Sequence, residues 1–307
     1  MKENLISYSI KKDKEMEIKL PDHFYQFVSE RIAQAKCPAH DLAHCKRVAN
    51  LAVWIAEKET GVNIIVTYIA GLMHDMLDSK LYSSDSITTA ETEVRKVLEN
   101  ESSLNDSEVN HIISIVKSVG YKNMIRSDWD PYSLSVEYRC VQDADLLDAI
   151  GAIGVARCYA YGGRKNRNLF GVSKNLEESV SQASYLKSQV SEESNVDHFF
   201  DKLLRIPSLI ITSRGKEAAD KRYTTMKLFL EQVDAELEDA KDSDAGTIST
   251  SINELENILR NSQRKDRDFS SISKKSQRCV NPLTCFNLVL YTYDRLLIPF
   301  SMYRSKL

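Results

Sequence analysis

From about Pro21 to Glu238 apolar residues recur at helical spacing, and few strand signals interrupt them. A chain patterned this way buries its apolar faces by packing helix on helix, so an all-α fold of about seven helices is expected. Glycine and proline fall mostly between the periodic runs. Asp41 is placed as N-cap of a helix with the stripe Val48, Leu51, Ala52 and Ile55, and Gly61 as its stop. Asn63 opens the next helix, where IIVTYIAGLMHDML is apolar nearly all round, the pattern of a helix enclosed by others. It is read as the central helix. A third helix is expected from about Glu137 to Tyr161, with Ala144, Ala149, Gly151, Ala152, Gly154 and Ala156 letting its neighbours approach. Gly162 and Gly163 are expected to end it.

The 307 residues, 42% hydrophobic and 28% charged, can bury one good core and allow one or two domains. A formal charge of -3 gives no global reason to expect nucleic acid or a membrane surface as partner, which leaves a small ligand. The six cysteines include no C-x-x-C pair, so reduced thiols are expected rather than a zinc ribbon or a disulfide framework. The N-terminus has lysines but no continuous apolar stretch after them and fails as a secretory signal. A cytoplasmic location is expected, with the nucleus also open.

Past residue 238 the character changes. Residues 231–245 carry seven acids against one Lys, and 257–278 carry seven Lys or Arg against two Asp. Such runs are ordinarily solvated chain. The last apolar segment, CFNLVLYTYDRLLIPF, has Asp294 and Arg295 in its middle and falls short of the roughly 20 apolar residues that span a bilayer. The expected organisation is an N-terminal extension over 1–21, a helical domain over 22–240, and over 241–307 a charged linker and apolar tail, partly disordered or docked.

Three segments carry chemistry. AHDLAHCKRV sets His40 and His44 four apart on one helix face, with Arg47 a turn further on. MHDMLD ends the enclosed helix with His74 and Asp75, whose side chains point about 100° apart and reach one ion only if it lies between those directions. VQDADLLDAIGAIG offers Asp143, Asp145 and Asp148 in an otherwise apolar helix, where carboxylates cost several kcal/mol unless paired or bound to a cation. Two imidazoles and two carboxylates from three helices would hold a divalent ion and leave positions for water and a phosphate oxygen.

The order His44-x-x-Arg47-Val48, then His74-Asp75, then Ala144-Asp145-x-Leu147 resembles the H...HD...D signature of HD-domain phosphohydrolases. LMHDMLDSK, QDADLLDAIGAIG, AYGG, HFFDKLL and LIITSRGKEAADKRYTTMKLFLEQ extend the resemblance to the YedJ/YpgQ-like branch over roughly residues 22–240. It implies an all-α HD-domain bundle with a metal site between central helices, and metal ligation by His44, His74, Asp75 and Asp145. It also implies one divalent ion, with Mn favoured over Mg, Co, Zn, Fe or Ni, and a small phosphorylated substrate, a nucleotide above all. No specific nucleic-acid partner and no membrane span are expected; a homodimer is the assembly left open.

Asp78 falls where some nucleotide-cleaving HD enzymes carry a proton-handling glutamate, and is read as catalytic; the bland reading makes it a helix terminator paired with Lys80. Arg47 and Lys80 are the first choices for cations facing phosphate, ahead of the loop cations Arg164, Lys165 and Arg167. For Arg47 the bland reading is a salt bridge to Glu57 or Asp148. His40 could extend the metal site but, isolated near a proline, is read as a second-layer or surface group; His111 is read as a satisfied interior histidine, while His198 is left open. Two competitors stand against hydrolysis: a nucleotide-sensing module without turnover, and a di-iron oxygenase, which would need further histidine ligands.

Overall fold

The structure, a computed structural model, describes residues 6–10, 16–78, 84–126, 128–171, 194–242 and 246–276. Lys80, Cys279, Cys285 and the apolar C-terminal segment lie outside them. The chain divides into two compact units, 1–254 and 255–307. An antiparallel pair, β1 (Ser7–Ile10) and β2 (Met16–Lys19), precedes the helices. Then follow α1 (Asp22–Ala35), α2 (Leu42–Ala56), α3 (Ile64–Met73), α4 (Ser84–Glu99), α5 (Asp106–Ser118), α6 (Tyr121–Met124), α7 (Val136–Asp148), α8 (Gly151–Arg164), α9 (Asn195–Asp201), α10 (Ser213–Asp239) and α11 (Thr247–Ser276). Short 3₁₀ segments cover His74–Leu77, Pro131–Ser133 and Leu203–Leu209. The fold is all-α, with that hairpin the only sheet among the described residues, and no described helix is long and apolar enough to cross a membrane.

The caps read from the sequence hold. Asp41 accepts a hydrogen bond of 2.7 Å from the His44 backbone N–H, and Asn63 accepts from Ile65 and Val66. These bonds satisfy donors that a helix N-terminus otherwise leaves orphaned. The expected stops shift. α2 ends at Ala56, and Gly61, at φ +71°, turns the loop beyond it.

α3 is the central helix, with Val66 to Met73 continuously buried, and it packs against α2, α5 and α7. It runs tight against α2 at Gly71, where a Cβ would stand 2.8 Å from the Ala49 Cα. That proximity brings His44 and His74 together edge to face, with their Nε2 atoms 3.1 Å apart. Gly71→Ala is therefore expected to push the two helices apart and cost about 1–3 kcal/mol, read as a lowered midpoint in thermal or urea unfolding; an unchanged midpoint would contradict this packing.

The single helix expected over 137–161 is two. α7 stops at Asp148, Ile150 is extended, and Gly151 takes φ +75° with its missing Cβ replaced by Arg222, so α8 starts in a new direction. Gly162 and Gly163 do not end α8, which continues to Arg164. The acidic run is not all solvated: buried Asp234 accepts from the backbone N–H of Gly246 and Ser249 at the start of α11. That helix occupies sequence read as linker.

Candidate metal centre

α2 contributes His44, the α3 terminus His74 and Asp75, and α7 Asp145. At Met73 the α-helix tightens into a 3₁₀ turn. Successive side chains then diverge by about 120° rather than 100°, and His74 and Asp75 still converge. His44 Nε2 stands 3.1 Å from His74 Nε2, 3.3 Å from Asp75 Oδ2 and 3.9 Å from Asp145 Oδ1. His74 Nε2 is 3.3 Å from Asp75 Oδ1 and 3.6 Å from Asp145 Oδ1. All four predicted ligands meet, and His44, His74 and Asp75 alone form a cluster able to hold a metal ion.

The opposite edges of both rings are already committed. His74 Nδ1 donates to the Gly71 carbonyl at 2.8 Å, and His44 Nδ1 to Asp148 Oδ2 at 2.7 Å. In each neutral ring this leaves a lone pair on Nε2. Two lone pairs facing each other beside two carboxylates require positive charge. Burial lowers the His74 ring, but the carboxylates of Asp75 and Asp145 outweigh it and push the ring up to about 9. Burial raises the Asp75 carboxyl, yet His74 and His44 hold it well below the usual range.

A proton on His74 leaves Asp75 Oδ2 buried with no hydrogen bond, whereas a divalent cation satisfies it and the lone pairs together. Bonds of about 2.1 Å place ligand atoms about 3–4.2 Å apart around an ion, which is the range of the separations above. The residues fit a divalent metal.

The three aspartates of α7 prove to have three jobs. Asp145 faces the cluster. Asp148, three residues on and so on the same face, supports His44 and takes a two-pronged contact from Arg47, at 2.8 and 3.0 Å, with Arg157 at 3.3 Å. Asp143 turns the other way and accepts from Ile211 N–H, Thr212 N–H and the Thr212 hydroxyl, which anchors α10. Burial pushes its carboxyl up to about 6 against those bonds.

The cluster opens on a cleft of about 840 Å³, solvent at its mouth included, bordered by His40, Asp75, Asp78, Asp145, Arg157, Tyr161, His198 and Lys202. A second depression, of about 650 Å³, shares Asp75, Asp78 and Asp145 and is lined on its far side by Lys117 and Lys122. Asp78 thus lies at the site and also terminates the 3₁₀ turn, its N–H bonding the Asp75 carbonyl.

Arg47, read as a phosphate cation, is instead turned onto Asp148. Lys165 and Arg167 stack over the ring of Tyr161, a cleft residue, at 5.8 and 5.4 Å, but neither they nor Arg164 belong to the lining itself. Arg157 and Lys202 were not singled out by sequence. His198 does reach the cleft. His40 precedes α2 rather than riding on it, and burial lowers its ring to about 4. His111 stands apart, hydrogen-bonded to Ser135.

A bundle that presents paired imidazoles and carboxylates to one cleft at a helix break has the architecture of an HD domain. The chain belongs to that family: residues 41–150 match the HD domain. It is 32% identical to the uncharacterised YpgQ protein of Bacillus subtilis strain 168 over 198 residues, 64% of this chain and 84% of that one. The crystal structure of Bacillus subtilis YpgQ in complex with ADP superposes with a TM-score of 0.53 at 29% identity, covering 70% of this chain and 97% of YpgQ. A Lactobacillus plantarum protein gives 0.59 at 26% identity, covering 71% and 96%. An HD-superfamily hydrolase of Bacillus thuringiensis gives 0.50 at 27%, with the same coverage.

Proposed function

We propose that this protein is a divalent-metal-dependent phosphohydrolase that cleaves a phosphoester or phosphoanhydride of a nucleotide. The observation that carries the reading is the convergence of the two Nε2 lone pairs with Asp75 and Asp145, whose Asp75 Oδ2 is buried without a hydrogen bond. The adjoining cleft and the ADP held by YpgQ favour a nucleotide. His44, His74, Asp75 and Asp145 hold the ion, with Mn favoured. When bound, it polarises a phosphoryl oxygen and lowers the pKa of a coordinated water.

The chain's own groups do the rest. Asp148 and the Gly71 carbonyl keep the two imidazoles in the tautomer that aims Nε2 inward. Asp78, on the cleft wall beside Asp75 and Asp145, accepts the proton of the attacking water. Arg157 and Lys202 on the cleft wall, with Lys165 and Arg167 over the Tyr161 ring, offset phosphate charge. Arg47 acts from behind, through Asp148. Lys80 keeps its place as a cation following Asp78 in the chain.

The test is a panel of nucleoside mono-, di- and triphosphates with Mn, Mg, Co or Zn, following phosphate and pyrophosphate release, with Asp75→Ala as blank. Turnover by the wild type and none by the blank is expected. Metal-loaded wild type that binds ADP yet releases nothing would overturn hydrolysis in favour of a sensor. Visible absorption bands from an iron-loaded sample would favour the di-iron alternative.

A further inference from the structure

Four imidazoles meet at this cleft, His40, His44, His74 and His198, and the tautomers of His44 and His74 are set for ligation. His40 is held differently. Its ring borders the cleft together with Asp75 and Asp145, edge-on to His44 at 5.8 Å and to Tyr161 at 6.2 Å between centroids. Its Nδ1 lies 3.0 Å from the Cys37 sulfur, and its backbone N–H donates to the Cys37 carbonyl, so the Cys37–His40 turn closes on itself twice.

The thiol sits in a small apolar nest of Ala35, Cys37 and Ala39, covered by Ile87 and Tyr161. There a thiol S–H has His40 Nδ1 as its partner. Sulfur is a weak acceptor and imidazole nitrogen a good one, so the better bond has the thiol donating to Nδ1. The ring proton then resides on Nε2, the edge turned away from Cys37 and without a protein partner among the described residues. Arg157 holds the turn in place by donating from Nε to the Ala39 carbonyl at 2.9 Å.

We propose that His40 is a substrate-binding hydrogen-bond donor rather than a fifth metal ligand: Cys37 sets its tautomer, and Nε2–H donates to a non-bridging phosphoryl oxygen of the substrate. The proton stays on the ring throughout. His40 touches the substrate; Cys37 is a positioning residue that acts through it. The tautomers of His44 and His74 present lone pairs to a cation, and the reversed tautomer of His40 presents a proton to an anion beside it. The assignment rests on the phosphohydrolase reading for its substrate, whereas the tautomer itself does not.

Two measurements keep the two readings distinguishable. Long-range ¹H–¹⁵N spectra of the full chain, ¹⁵N-labelled at histidine and loaded with diamagnetic Mg or Zn, report each ring's tautomer without any turnover. His40 is expected protonated at Nε2 in the wild type and mixed in Cys37→Ala, with Cys37→Ser retaining the wild-type form. His40 protonated at Nδ1, or shifted as a metal-bound nitrogen, overturns the proposal even if nucleotides are hydrolysed.

Where the wild type turns over, His40→Leu is expected to lower kcat about 10²–10³-fold with bound metal unchanged, and His40→Gln, which keeps an N–H donor, to recover a large part. Loss of metal from His40→Leu, or equal rates for the Leu and Gln variants, would overturn it. Absence of turnover in the wild type removes the phosphohydrolase reading and leaves the tautomer result standing.

Discussion

Asp75→Ala is expected to bind no metal at equilibrium and to lower turnover by about three orders of magnitude or more, because the metal contributes several kcal/mol to the barrier and each 1.36 kcal/mol is tenfold. The structural ground is that Asp75 offers one oxygen to each imidazole, Oδ2 at 3.3 Å from His44 and Oδ1 at 3.3 Å from His74. Asp145 also faces both rings, but through a single oxygen and from farther away, Oδ1 at 3.9 Å from His44 and 3.6 Å from His74. Stability provides a second readout. A metal at 100 times its dissociation constant stabilises the folded state by about 2.7 kcal/mol, so wild-type melting should fall on adding chelator and the variant's should not move. Metal analysis of both proteins after dialysis closes the test. A variant retaining one ion per chain would remove Asp75 from the ligand set.

The largest stability effect is expected at Asp148. This carboxylate is 1% exposed and receives His44, Arg47 and Arg157 together. Removing it in Asp148→Ala strands Arg157, itself only 15% exposed at the side chain, and should cost about 3–5 kcal/mol. Asp148→Asn retains an acceptor for His44 and should cost less, yet weaken metal binding about 10–100-fold because the imidazole loses the anion that raises its basicity.

The pH dependence follows from the same contacts. Burial would raise the Asp148 carboxyl, but the hydrogen bonds from His44 and Arg47 hold it well below the usual carboxylate range. Its stabilisation is thus fully present above the unfolded value of roughly 3.9 and is lost as pH falls below it. Urea unfolding of wild type and Asp148→Asn should differ most near neutrality and converge in acid; a gap that widens in acid would reverse the sign.

Arg47 and Arg157 illustrate why charge in a sequence is a poor guide to a site. Arg47 sits one turn from a ligand and invites a phosphate role, but its fork meets a closer carboxylate and is used to orient His44 through Asp148. Arg157 lies 113 positions beyond His44 in the chain, and only the break at Ile150–Gly151 turns α8 so that it borders the cleft. Asp143 was separable from its neighbours in advance: two residues before Asp145 on a helix is about 200° of rotation, which sends it toward α10, while Asp148 returns to the face of Asp145.

Local pattern determined the helical class, the caps at Asp41 and Asn63 and the enclosed helix, because periodicity and capping depend on neighbours within about a turn; the choice of His44, His74, Asp75 and Asp145 came from the order of motifs that resembles the HD signature. The tertiary structure decided which cations and which further histidines border the cleft. Those depend on the Gly71–Ala49 approach and on a backbone turn at Gly151. Both are packing events between segments distant in the chain, and helical periodicity carries no information about how two such faces are set against each other.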